Sequence, residues 1–308
     1  MGSLLVRSLL ASATLALGSA SAQTTIHVPA DWPTIQQAIV AALDGDTVLV
    51  APGTYVEELD YLGKAITLAS ESGAAATILA NVNSAVSFVN DEGPGSILRG
   101  FTVTGNLSSR AAIHGPGTQP RIVQCVIQGN STSTALAAGV FCDGTLVDCV
   151  VEGNSNGNGT GGVAGALTLR RCILRANSGY DGAAALLLGG GMEDCLVLDN
   201  GSAEGSGGGA VSIASSYPVV VERCLFANNW KDTWSGMYSA NGAALTVQSP
   251  AVPAQLVNCT IVANRVTVPG IYGPDHGGVH GLVTLQNCIV RDNDGLQVWN
   301  ATAAASVD

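Results

Sequence analysis

Charge and aromatic rings are both scarce in this chain. Asp, Glu, Lys and Arg make up 11% of its 308 residues, and Phe, Trp and Tyr 5%, against about 25% charged residues in an ordinary soluble domain. Lysine and arginine number 12 against 23 acidic residues and form no basic cluster, which argues against a nucleic-acid-binding protein. Proline is limited to 11, and the 39 glycines have no period of three, so neither a collagen helix nor a Pro-rich disordered tract is encoded. Long apolar runs are also missing: none in the body of the chain approaches the ~20 residues that span a bilayer. The 47% of residues that are hydrophobic must therefore be buried in something regular.

The first 22 residues read as a secretory signal. Arg7 supplies the basic start, Leu9 to Leu17 the short apolar stretch, and Ala20-Ser21-Ala22 the small-residue cleavage motif ahead of Gln23. Cleavage after Ala22 predicts a secreted or cell-surface protein, and loss of Arg7 takes the net charge from −11 to −12.

Seven of the eight cysteines sit in one repeated pattern: an apolar residue, two variable residues, Cys, any residue, an apolar residue, two more, then Asn. The cysteines are Cys125, Cys149, Cys172, Cys195, Cys224, Cys259 and Cys288, each followed five residues later by Asn130, Asn154, Asn177, Asn200, Asn229, Asn264 or Asn293. An eighth copy ending at Asn106 carries Phe101 in the cysteine slot. From Asn106 onward the steps are 24, 24, 23, 23, 29, 35 and 29 residues. A period near 23 with β-branched alternation and glycine-rich corners fits one turn of a solenoid built from three short strands and three bends. Stacking turns at the ~4.8 Å strand spacing superimposes like on like, giving ladders of cysteine, aliphatic residues and asparagine. Asparagine suits a bend because its amide both donates and accepts and because it tolerates the left-handed conformation. A leucine-rich repeat, the other short-period solenoid, would need more fixed leucines.

Residues 23–70 form a non-repeating opening. Trp32, Ile35, Ile39 and Leu43 recur at helical spacing, with Asp31 as the expected cap and Asp44-Gly45-Asp46 as the stop. Strands are expected at 47–50, 54–57 and 65–68. A helix there would plug the open first turn of the solenoid, whose repeats run over 71–308. The stretch VPADWPTIQQAIVAALDGDTVLVAPGTYVEEL, followed by KAITLAS and GFTVTGN, resembles the opening of right-handed parallel β-helix proteins of the pectin lyase-like superfamily. The C-x-apolar-x-x-N repeat is similar to the coils of their secreted bacterial members. The resemblance implies an all-β solenoid of about ten coils with a short N-terminal capping helix. It leaves function open, because this fold carries enzymes, adhesins and binding proteins alike.

The chemistry of the superfamily was therefore compared residue by residue. Pectinesterases share a TIQ-x-A and an APGTY-x-E stretch, here Thr34 to Ala38 and Ala51 to Glu57, but in Cys224 to Thr233 the aspartate Asp232 stands one position too far from Cys224, and the second esterase motif has no counterpart. The paired aspartates of polygalacturonase-type hydrolases are absent, and only His276-Gly277 resembles part of their site. Tyr272-Gly273-Pro274-Asp275-His276 is similar in composition to a cluster in epimerases and some lyases, at a different spacing.

The last three steps of the repeat exceed the basal period, and extra residues in a solenoid become loops on one face. Those loops hold Tyr217, Trp230, Trp234, Tyr238 and Tyr272, half of the ten Trp and Tyr residues, with Lys231, Asp232, Asp275, His276 and His280. Aromatic faces stack on sugar rings, and loops on a rigid scaffold concentrate function. The same rings would also serve as packing under long loops. Trp230, Trp234, Tyr238 and Tyr272 are thus the candidate contacts to a polysaccharide or cell-surface glycan. The competing reading is a polysaccharide lyase acting on uronic-acid polymers, with Lys231 or His276 as base and Ca²⁺ held by Asp232 and Asp275. No catalytic motif is complete, so a non-catalytic binding or adhesive module is favoured, expected as a monomer with no cofactor or metal.

A cysteine ladder is a line of in-register side chains, which suits neither the Cβ approach of a disulfide nor the convergent ligands of zinc. The cysteines are expected as buried, reduced fillers, Cys142 and Cys149 being the nearest to a plausible pair. Asp292-Asn293-Asp294-Gly295 is expected as a turn containing the last ladder asparagine. No polar cap follows that repeat, so the chain is expected to continue into further coils.

Overall fold

The computed structural model describes residues 23–202, 208–232, 242–248, 252–268 and 276–301. The expected signal segment and the ring-bearing positions Trp234, Tyr238 and Tyr272, with Asp275, lie outside these residues.

One short helix and a succession of parallel strands build a solenoid. Ten strands stack in one flat sheet, B, so the described residues form ten coils, as expected from the repeat. A wider sheet, A, holds eighteen strands and a third, C, six. Sheet A has more strands because many coils cross it as two segments, such as Val140–Cys142 and Thr145–Val147. The three-strand coil expected from the period thus has a bend within one side; Gly144 makes it, since a Cβ there would lie 2.0 Å from the Pro120 carbonyl oxygen. In the coils of Val163–Arg170 and Ala185–Glu193 the two segments run together as one strand.

Each coil turns its two sharp corners with left-handed residues, mostly not glycine: Asp148, Arg171, Asp194 and Arg223 at one corner, Ala176, Asp199, Asn228 and Ala263 at the other. That conformation costs an ordinary residue roughly 1 kcal/mol, and here it is repaid by stacking. The asparagine ladder lies just past the second corner. Asn154 Nδ2 donates to the Ile127 carbonyl of the preceding coil (2.9 Å) and to Asn177 Oδ1 of the next (3.0 Å), while the Asn154 N–H donates to the same Oδ1 (3.1 Å). The arrangement repeats from Asn130 to Asn264, and Asn106 joins it through its N–H.

The core runs along the axis as ladders of like residues. Ile127, Val151, Leu174, Val197, Phe226, Ile261 and Val290 pair in register and are all buried. The seven ladder cysteines and Cys142 are buried and free. Their thiols point at backbone carbonyls, as Cys149 Sγ does at Ile122 O (3.4 Å), and burial pushes the Cys142 thiol up to about 12.

The helix Ile35–Ala41 lies against the first coils and buries Ile35, Ala38 and Ile39. Thr34, not Asp31, is its N-cap: Thr34 Oγ1 accepts from Gln37 N (3.2 Å), while Asp31 accepts from His27 N (2.7 Å) in the preceding turn. The apolar face is shorter than the spacing implied, and Trp32 and Leu43 stay exposed. Both helix ends are closed by side chains from the next coil. Glu57 accepts from the N–H groups of Ile35 (3.1 Å) and Gln36 (3.0 Å), and Lys64 Nζ donates to the carbonyls of Ile39 (2.8 Å), Val40 (2.7 Å) and Ala42 (2.8 Å). No helix among the described residues is long and apolar enough to cross a membrane.

Candidate functional site

The position after each ladder asparagine from Asn130 to Asn264 begins a strand of sheet C, and alternation turns that residue outward. Down the stack this outer row reads Ser131, Ser155, Ser178, Gly201, Trp230 and Arg265, paired rung by rung. Trp230 lies across Gly201, where an added Cβ would come within 2.0 Å of its Cε2 and Cζ2 atoms. Glycine is the one residue that seats the indole this close to the backbone. The half-buried ring borders an open hollow of about 660 Å³ shared with Asp199, Asn228, Arg265 and Thr267. An aromatic surface rimmed by a carboxylate, an amide, a guanidinium and a hydroxyl suits a sugar ring, whose faces are apolar and whose edge is polar.

Lys231, the next residue, points inward and is fully buried. Burial pulls its ammonium down to about 8, and the carboxylate of Asp181 acts against that shift. Asp181 Oδ1 is itself held by Gln248 Nε2 (2.9 Å) and Gly208 N (3.1 Å). The charge of Lys231 also reaches His280, which burial first, then His276 and Lys231, lower to about 4. His276 is buried between two rings, 5.2 Å from His280 and 5.4 Å from Trp299. Asp232 stands after a bulge in the strand pairing, and its Oδ1 is shielded from solvent with no hydrogen-bond partner among the described residues.

His280 continues the outward row of sheet A: Phe141, Ala164, Leu186, Ser212, Thr246, His280 and Trp299. Its first three residues form a small apolar cluster with Ala137. From Ser212 to His280 the row is polar, though Ser212 and Thr246 are fully covered and Ser212 Oγ has no hydrogen-bond partner among the described residues. The change falls where the repeat lengthens.

The structure therefore brings Lys231, His276 and His280 together and sets Trp230 on the other side of the same strand. Asp199, Asn228, Arg265, Asp181 and Gln248 are site residues that were not among the candidates expected from the inserts. The first three stand next to a ladder asparagine, so the repeat alignment contained them. Among the described residues no three His, Cys, Asp or Glu side chains converge on a point, and Asp275, expected to hold Ca²⁺ with Asp232, lies outside them.

Residues 159–308 match the family described as right handed beta helix region. No curated protein matches the sequence significantly. The crystal structure of pectate lyase Pel9A aligns with 92% of this chain and 79% of its own, at 14% identity and a TM-score of 0.45. Residues 159–308 thus carry the right-handed β-helix match, and the coils before them extend the same asparagine ladder and the same stacked sheets as one parallel β-helix.

Proposed function

We propose that the protein is a secreted or cell-surface module that binds polysaccharide without cleaving it, with Trp230 as the central contact. The observation that carries this reading is the indole seated on Gly201 at the edge of an open hollow rimmed by Asp199, Asn228, Arg265 and Thr267. Ring stacking supplies affinity, and the polar rim selects hydroxyl orientation. Export rests on the leader at residues 1–22. Calorimetric titration of the mature chain with a panel of soluble polysaccharides tests it. Binding by the wild type that Trp230→Ala abolishes supports the reading; equal binding by the two removes Trp230 from it.

A second reading, a polysaccharide lyase, is favoured by one observation: a buried lysine lowered to about 8 beside Asp181 and His280. An amine of that basicity is partly neutral near pH 8 and suited to abstract a proton. This reading predicts unsaturated, ultraviolet-absorbing product from a uronic-acid polymer, lost in Lys231→Ala. A flat absorbance trace with pectate and alginate leaves the binding module standing.

A further inference from the structure

We infer that the Trp230 hollow is one end of a longer groove, and that the glycan lies along sheet C parallel to the solenoid axis as an extended, neutral chain of about six sugar rings. The inference rests on the reading of Trp230 given above and adds the length, direction and charge class of the ligand. A second open hollow, of about 500 Å³, lies on the same face and is bordered by Leu107, Ser109, Ser131, Thr134 and Ser155. Ser155, Ser178 and Gly201 join it to Trp230 in unbroken register. From Ser131 to Arg265 the row takes five steps of ~4.8 Å, or about 24 Å. A pyranose in an extended polymer advances by roughly one strand spacing, so each rung meets one ring.

The polar groups of this sheet divide by side. The inner ones are used within the chain: Thr132 Oγ1 accepts from Thr134 N (3.3 Å), Asn156 Nδ2 donates to Ala135 O (2.9 Å), and Ser202 Oγ donates to Tyr180 O (3.1 Å). The outer hydroxyls of Ser131, Ser155 and Ser178 make no hydrogen bond to any described residue. They face solvent as a line of donors and acceptors at a spacing that backbone pairing fixes. The single cation of the row, Arg265, shares its hollow with Asp199, and the whole chain carries a net charge of −11. That field disfavours a polyanion and leaves a neutral, hydroxyl-rich polymer as the fitting ligand.

Calorimetric titration of the mature chain with cello-, manno- and xylo-oligosaccharides of increasing length, and with oligogalacturonates as the acidic comparison, tests the groove. The expected result is a gain of at least about tenfold in affinity between dimer and hexamer in a neutral series. Ser155→Glu should erase that gain and leave dimer binding at Trp230 unchanged, whereas Ser155→Thr, which keeps the hydroxyl, should retain it. Neutral binding that Trp230→Ala abolishes but that does not grow with length overturns the groove while sparing the Trp230 reading. A length effect confined to the acidic series overturns the neutral assignment. Absence of binding in every series overturns the groove and the Trp230 reading together.

Discussion

Gln297 takes the place of a further asparagine beneath Asn293. Its Oε1 accepts from the Asn293 N–H (3.2 Å) and Nδ2 (2.9 Å), as the next rung of the ladder would, and its Nε2 donates to the Asn293 carbonyl (2.7 Å). The longer side chain folds back over four residues to do what elsewhere takes a full coil. An asparagine rung and this glutamine one should therefore differ in cost. Asn177→Ala leaves the Asn154 N–H and the Val151 carbonyl without their partners inside the protein, and is expected to lower stability by about 3 kcal/mol. Gln297→Ala removes bonds made to Asn293 within one coil rather than between coils, and should cost about 1 kcal/mol. Urea unfolding of the two variants gives the comparison; equal losses would mean that the ladder is not a stack of dependent rungs.

The helix Ile35–Ala41 is held at both ends from outside itself. Glu57→Ala frees two N–H groups and Lys64→Ala frees three carbonyls, each change costing about 1 to 2 kcal/mol. Lys64→Arg should recover part of that stability and Lys64→Met little of it. Thermal unfolding followed by circular dichroism measures all four variants. If Lys64→Met matches the wild type, packing of the stem rather than its charge holds the helix.

Gly201 should behave as a binding residue although it has no side chain. A methyl group at this position would overlap the Trp230 indole, so Gly201→Ala displaces the ring and is expected to weaken glycan binding at least about tenfold, as Trp230→Ala does. The double variant should lose no more than either single one, since both remove the same surface. Calorimetry with the tightest-binding oligosaccharide decides this, and additive losses would place Gly201 outside the platform.

Acid should loosen the coils around His280. Its folded pKa, about 4, lies below the ordinary value of 6.5, so the unfolded chain binds the proton more readily. Stability is then full above about pH 6.5, falls as pH drops toward 4, and levels off below that for this group. Asp148 and Asp194, held low by Arg171 and Arg223, contribute a separate loss as pH falls below the usual carboxylate range. His280→Gln should shrink the first phase, to which His114, also lowered by burial and by Arg110, adds its own loss, and leave the second. Unfolding curves collected at successive pH values resolve the two, and an unchanged first phase in the variant would assign it to another group.

Much of the architecture was legible because a solenoid repeats its contacts at the interval at which it repeats its residues. Cys149 meets Cys172 and Asn154 meets Asn177, their counterparts one period away, so periodicity in the sequence is adjacency in space. The N-terminal helix was less legible: Asp31 and Thr34 are both acceptable caps, and the choice turned on Glu57, a residue in the following coil. Trp230 and Lys231 stood out because they lie where the repeat lengthens. Asp181 and Gln248 did not, since they meet across loops of unequal length, 67 residues apart, where the period no longer predicts a neighbour.

The uniform hand-over between coils makes the length of this protein a variable of its own. Asn154 and Asn177 stand 23 residues apart and make the same bonds upward and downward. A tandem duplication of that unit would slot one more coil between them with every register preserved, adding a serine to the outer row and nothing foreign to the core. Recombination between repeats thus acts as a ruler, setting the length of the outer row without inventing a single new contact.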